Sequence, residues 1–380
     1  MSNHRSSFSK KYVLPVLYYG KRNFSKIKLW IGLKTGLVRT VMIQPYKGFG
    51  NKNELFFVGR VLRDRGIGIS QIEDSRWRNF TKMYKRFMTW EIPRVRVKAS
   101  FQGREVIALT DDEGYFEVNI KAQDKFQYDE AWQEVELELL DQVVKNQGVV
   151  KTKAVVILPA GNVEYGVISD IDDTIVPTGA TRLWEMLKTT FLGNAHTRLP
   201  FSGVAEFYQA MAKGTDGVES NPFFYVSSSP WNIYDFLMEF LDVHGIPKGP
   251  LMLRDIGLSR EQFIAGSHQA HKLLQVEKIF DVETQLRFIL IGDSGQKDPE
   301  IYLQVIRDYP GRVKMVYIRN VSERREKEVL DIAAEMKKLG VELIMVKDTL
   351  EAAKHALGMG WIVEEDINAI IRGKEEDLRN

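Results

Sequence analysis

The sequence predicts an α/β protein: a parallel sheet covered by helices, preceded by a smaller β-rich part. Three observations carry this. After Gly161, short apolar runs of strand length alternate with amphipathic stretches of helix length. Between about 54 and 158, alternating strands follow one another with turn residues between them. The chain has 380 residues, more than the ~100–200 of a usual single core.

In chain order, residues 1–50 hold ten Lys or Arg and no acid, interleaved with Tyr12, Tyr18, Tyr19, Phe24 and Trp30. Basic residues beside interfacial aromatics suit a membrane-surface segment. Gly20, Gly32 and Gly36 interrupt any helical period, so a basic tail leading into a first strand at 37–43 stands beside that reading. Strands are expected at 54–62, 95–101, 106–109, 115–118, 134–140 and 153–158, together a small β-sandwich-like domain over 51–160. Residues 75–91, rich in Arg, Lys and aromatics, read as one basic amphipathic helix, and the Gly66-Ile67-Gly68-Ile69-Ser70 stretch reads as a turn, since it lacks the Lys of a phosphate loop. In 161–348, strands at 165–170, 223–227, 251–253, 287–291, 313–318 and 341–346 are separated by helical stretches such as 231–244, 298–309 and 323–340, which implies a parallel sheet covered on both faces. Residues 349–380 are expected to add C-terminal helices.

Composition narrows the chemistry. With no cysteine there is no disulfide, thiolate metal site or cysteine nucleophile, so any metal must be held by oxygen or imidazole. No stretch approaches the ~18 apolar residues of a membrane-spanning helix, and no apolar leader is evident, so a soluble, cytoplasmic protein is expected. Residues 1–98 carry 22 Lys or Arg against 5 Asp or Glu, a balance of +17, and the remaining 282 carry 31 against 46, a balance of −15. This separation suggests that the first part meets a polyanion, either nucleic acid or an anionic membrane surface.

Four pieces could carry chemistry. In Tyr165-Gly-Val-Ile-Ser-Asp-Ile-Asp-Asp-Thr174, Asp170, Asp172 and Thr174 fall at alternate positions just past an apolar strand, where open α/β sheets bind ligands; an acidic turn explains one Asp-x-Asp equally well. An apolar strand at 223–226 ends in Ser227, Ser228 and Ser229 before Pro230, a phosphate cradle or a helix cap. Lys272 lies in a helical stretch and draws notice only for its place in the order. The apolar run 288–291 leads to Gly292, Asp293 and Asp298, either a hard-oxygen Mg²⁺ site beside Asp170 or an Asp-rich turn capping the next helix. His268 and His271 could share a metal, but no third imidazole is evident nearby, and surface or capping roles suit them better.

Taken in order, these pieces resemble the haloacid dehalogenase superfamily of aspartate-nucleophile phosphohydrolases. More narrowly, Ser-Asp-Ile-Asp-Asp-Thr (169–174), Tyr-Val-Ser-Ser-Ser-Pro-Trp-Asn-Ile-Tyr (225–234), Gly-Asp-Ser-Gly-Gln-Lys-Asp-Pro-Glu-Ile-Tyr (292–302) and Tyr-Pro-Gly-Arg-Val (309–313) are similar to the actin-patch-type phosphatidate phosphatases, relatives of the lipins. Gly59-Arg60-Val61 and Asp111-Asp112-Glu113-Gly114-Tyr115-Phe116 resemble the β-rich region that precedes the catalytic domain in that family, and the resemblance spans roughly 55–320.

The resemblance implies a haloacid-dehalogenase-like Rossmannoid parallel sheet without a large cap. It implies that Asp170 attacks phosphorus, Asp172 serves as general acid and base, and Ser227 and Lys272 hold the phosphoryl oxygens, with Thr174, Ser228 and Ser229 beside the substrate. Mg²⁺ would be held by Asp170, the Asp172 carbonyl and Asp293, with Asp298 behind them. The expected activity is hydrolysis of phosphatidate to diacylglycerol and phosphate at an anionic membrane surface, the protein being peripheral there. The alternatives are the same chemistry on another phosphoester, including a nucleic-acid end or phosphoprotein, and a non-catalytic phosphatidate-binding module.

Overall fold

The computed structural model describes residues 39–64, 90–160, 163–175, 200–218, 220–254 and 268–377, with positions 32, 34 and 35. The aromatic-basic stretch from Tyr12 to Trp30, the 66–70 turn, the 75–91 helix up to residue 89 and the connection over 176–199 lie outside the described residues.

The β-rich part comprises β1 (Val41–Pro45), β2 (Gly48–Gly50), β3 (Glu54–Arg63), β4 (Arg96–Phe101), β5 (Arg104–Leu109), β6 (Tyr115–Lys121), β7 (Trp132–Leu139) and β8 (Lys151–Ile157). They form one hydrogen-bonded path, β1-β3-β2-β8-β7-β4-β5, with β6 on the other edge of β3. Alternation in the sequence becomes inside and outside: Val97, Ala99 and Phe101 of β4, Val118 and Ile120 of β6, and Val135, Leu137 and Leu139 of β7 fill a single core. The first strand, expected over 37–43, runs Val41–Pro45 among the described residues, with Val41 opposing Arg63 and Pro45 opposing Gly59, while positions 37 and 38 lie outside the described residues. The three-residue β2 was invisible in the sequence, being too short to show alternation.

Part of the basic excess in this region is internally engaged. Arg60 is buried, lies over the Tyr115 ring at 4.2 Å and pairs with Glu91 at 3.5 Å. Arg94 pairs with Asp112, Arg96 with Asp141, and Lys98 with Glu105 and Glu138.

The second sheet contains β9 (Gly166–Asp170), β10 (Phe223–Pro230), β11 (Leu251–Arg254), β12 (Phe288–Asp293), β13 (Val313–Arg319) and β14 (Glu342–Val346), in the order β11-β10-β9-β12-β13-β14. Every pairing is parallel. The strand order reverses between β9 and β12, so the ends of these two strands flank the crevice where doubly wound sheets bind ligands.

Among the described residues, seven α-helices accompany these strands: α1 (Val204–Lys213), α2 (Tyr234–Val243), α3 (His268–Val282), α4 (Asp298–Asp308), α5 (Glu326–Lys338), α6 (Thr349–Gly358) and α7 (Glu364–Asp377). Neighbouring strand residues feed opposite faces. Val167, Phe223, Ile289 and Tyr317 pack with α1, α2, α6 and α7, whereas Ile168, Phe224, Leu290 and Val316 pack with α3, α4 and α5. Strands buried on both sides read as continuous apolar runs for this reason. The C-terminal helices belong to this layer, with Ala353, Ala356, Trp361 and Ile370 in the same core as Val167.

The two sheets meet through β2 and its flanks. Phe49 and Phe56 share a core with Phe224 and Ile279, Tyr46 packs among Trp231 and Tyr234, and the Asn51 amide donates to the carbonyl of Val282.

Candidate functional site

Asp170 and Asp293 end adjacent strands, held side by side because Leu290 opposes Ile168 and Ile291 opposes Ser169. Both carboxylates are buried. Asp298, at the first position of α4, is also buried; its Oδ2 accepts the Asp293 backbone N–H at 3.0 Å. This close approach depends on Gly292, since a Cβ there would lie 2.5 Å from Asp298 Oδ2. One oxygen from each of Asp170, Asp293 and Asp298 falls within 4.8 Å of the others, the only such cluster of three among the described residues.

Lys272 projects from α3 into this group. Its ammonium lies 2.8 Å from Asp170 Oδ1 and also contacts Asp298 Oδ1. Burial opposes the charge, but the two carboxylates outweigh it and hold the ammonium firmly protonated. Burial pushes the Asp170 carboxyl above the usual range, against the pull of Lys272. The same desolvation pushes Asp172 up to about 6 and Asp293 up to about 7.

Past β9 the chain turns sharply. Asp173 takes the left-handed conformation, φ 56°, which Asp tolerates better than most residues. Asp172 Oδ2 accepts the Ser227 hydroxyl at 2.8 Å, and Ser227 Oγ accepts the Ser229 N–H at 3.0 Å. The strand β10 continues through the serines to Pro230, and the following short helical turn, Trp231–Ile233, has no side-chain cap. The Ser227 hydroxyl therefore faces an acid instead of capping a helix. Thr174 and Ser229 are buried, and their hydroxyls have no hydrogen-bond partner among the described residues; Ser228 is half-buried.

Asp293 does serve a turn, as the alternative reading held: its Oδ1 accepts the N–H groups of Gly295 and Gln296 at 2.6 and 2.8 Å. Its Oδ2 has no hydrogen-bond partner among the described residues. A buried oxygen left open beside two further carboxylates, with no sulfur or nitrogen donor in the cluster, fits a hard divalent cation such as Mg²⁺. His271 is engaged with Gln275 at 3.0 Å, and the side chain of His268 lies outside the described residues.

Three contributors were missed in the sequence. The Gln296 side chain reaches Asp170 and the Asp172 carbonyl. Arg325 clasps the 294–296 turn through the carbonyls of Ser294 and Gln296. Behind β9, the Tyr208 hydroxyl donates to Ser169 Oγ at 2.7 Å, which donates to the Asp170 carbonyl at 2.7 Å. Gln296 stood inside a quoted motif, but nothing in spacing assigns a role to a turn amide.

Residues 165–320 match the sequence model of the phosphatidate phosphatase APP1 catalytic domain. Over 155 residues the chain is 31% identical to phosphatidate phosphatase APP1 of Saccharomyces cerevisiae, covering 40% of this chain and 25% of that protein. Residues 165–320 are thus similar to the catalytic domain of the actin-patch-type phosphatidate phosphatases. The chain is also 28% identical over 163 residues to an uncharacterized protein of Schizosaccharomyces pombe, covering 41% of this chain and 25% of that one. The matched region thus spans about a quarter of the length of these two curated relatives. Among solved structures, a carbohydrate acetylesterase from Xanthomonas citri aligns with 79% of this chain and 66% of its own at 9% identity, with a TM-score of 0.26, too low to carry any argument.

Proposed function

We propose that the chain is a Mg²⁺-dependent phosphatidate phosphatase, a phosphoric monoester hydrolase that cleaves phosphatidate to diacylglycerol and phosphate at an anionic membrane surface. The observation that carries this reading is the convergence of Asp170, Lys272, Asp293 and Asp298 at the reversal of strand order. The six-stranded parallel sheet, with its acids at the ends of two adjacent central strands, supports a haloacid-dehalogenase-like fold, and the eight-stranded sheet ahead of it supports a β-rich, sandwich-like domain.

Asp170 Oδ forms a bond to phosphorus as the bond to the lipid oxygen breaks, and Asp172 gives that oxygen its proton, releasing diacylglycerol. Water then attacks phosphorus, Asp172 takes its proton, and the bond from Asp170 to phosphorus breaks to release phosphate. Splitting the displacement replaces one high barrier by two lower ones. The burial-raised pKa of Asp172, about 6, suits a group that must both give and accept a proton near neutrality. Ser227 orients that carboxyl, Lys272 offsets the charge of the phosphoryl oxygens, and Thr174, Ser228 and Ser229 supply hydroxyls towards the substrate. Asp170, the Asp172 carbonyl and Asp293 would hold Mg²⁺, with Asp298 adjoining. When bound, the cation supplies positive charge to the phosphoryl group and favours ionised Asp170.

No helix among the described residues is long and apolar enough to cross a membrane. In this reading the protein is cytoplasmic and docks peripherally through basic residues of its first part. Phosphate release from phosphatidate in mixed micelles and from soluble esters, with Mg²⁺ and after chelation, tests the reading. Turnover should require Mg²⁺ and vanish in Asp170→Asn. Faster release from a nucleic-acid end or phosphoprotein would move the substrate elsewhere, and phosphatidate binding without release from any ester would make the chain a lipid-binding module.

A further inference from the structure

Gln296 lies where lone pairs suited to a cation converge. Its Nε2 is 3.4 Å from Asp170 Oδ2 and 3.2 Å from the Asp172 carbonyl oxygen. Both partners are acceptors, so the carboxamide must turn its nitrogen towards them. An N–H directed at a lone pair keeps a metal from it, yet these are two of the oxygens assigned above to Mg²⁺. The backbone underneath is fixed. Gln296 N–H donates to Asp293 Oδ1 at 2.8 Å, its carbonyl accepts from Arg325, and the same guanidinium holds the Ser294 carbonyl at 2.9 Å and Glu300 at 2.6 Å. Only side-chain torsions are left to move, and Gln296 is half-buried, with a way out towards solvent.

We propose that Gln296 is a displaceable cap on the metal site, resting on the metal reading above. Its carboxamide satisfies Asp170 and the Asp172 carbonyl, and a divalent cation taking those oxygens must displace it. The residue thereby raises the cation concentration at which the site fills and keeps Asp170 hydrogen-bonded until then. The flexible linkage of the glutamine side chain allows this, whereas the neighbouring backbone cannot yield without breaking the Asp293 turn.

The test is Mg²⁺ titration of the full chain by calorimetry, with melting of the metal-free protein, for wild type, Gln296→Leu and Gln296→Ala. Both variants should bind Mg²⁺ about tenfold more tightly, the equivalent of roughly one net hydrogen bond to a charged group that the cation no longer has to break. Their metal-free forms should melt below wild type and recover most of the difference when saturated with Mg²⁺. Equal or weaker cation affinity in both variants would overturn the proposal, because the amide would then be neutral or a helper. If no chain binds Mg²⁺, the proposal and the metal assignment fall together. Phosphatidate hydrolysis is scored in parallel: a wild type that binds Mg²⁺ without releasing phosphate loses its substrate assignment but leaves the Gln296 comparison intact.

Discussion

Tyr46 stacks on Trp231, ring centroids 4.3 Å apart and planes 18° from parallel. Tyr46 belongs to the β1–β2 turn of the first sheet, and Trp231 directly follows the serine-rich end of β10, so the β-rich part braces the segment that carries Ser227 and Ser229. Tyr234 completes the contact, its hydroxyl accepting the Lys47 N–H at 2.9 Å. Tyr46→Ala should cost about 3–4 kcal/mol in chemical denaturation, as for a buried aromatic truncated in a core. Trp231→Ala should be less than additive with it, since both remove the same stack. Full additivity would mean that the rings do not couple the two sheets.

Gly292→Ala should damage the site more than the core. The new methyl would meet the Asp298 carboxylate, which must then leave the Asp293 N–H and Lys272. A shift of even an ångström at such a position costs on the order of a hundredfold in turnover. Overpacking adds about 1–3 kcal/mol of destabilisation. Steady-state phosphate release and a denaturant melt on the same preparation separate the two effects.

Glu283 gives a pH signature remote from the acids of the site. It is buried, its Oε1 has no hydrogen-bond partner among the described residues, and burial raises its pKa well above the ordinary 4.5, against the pull of Arg312. The folded state therefore keeps this proton at pH values where the unfolded chain has released it. Its contribution to stability is complete below about pH 4.5 and is lost as pH rises through the folded pKa. Glu283→Gln should thus melt progressively higher than wild type as pH rises from 5 to 8. Parallel melting curves for the two proteins across that range would show that Glu283 ionises without penalty.

Deleting residues 1–38 removes eight Lys or Arg and no acid, while sparing β1 and the Tyr46 contact. Each cation near an anionic bilayer contributes on the order of 1 kcal/mol, screened by salt. The truncated protein should sediment less with anionic vesicles and hydrolyse vesicle-borne phosphatidate more slowly, with little change on a soluble phosphoester. The difference should narrow as salt rises. Equal vesicle binding at low salt would assign the segment another role.

The sequence by itself determined the local elements and the order of the chemical residues. Apolar runs and period-two alternation located β3 to β14, Asp170, Ser227 and Asp293 stood out because strand ends and turn residues are written in neighbouring positions, and Lys272 drew notice only for its place in the order. Those signals are short-ranged, and the tertiary structure decided what depends on distant segments meeting. Sequence spacing does not say that β9 lies between β10 and β12, and this placement brings Asp170 beside Asp293. Lys272 looked like any helical lysine until α3 packed it between two buried carboxylates. Gln296, Arg325, Tyr46 and Glu283 carried no local mark, since an amide, a guanidinium, a ring or a lone acid acquires its role from what it is buried against, and burial is a property of the assembled layers rather than of the chain.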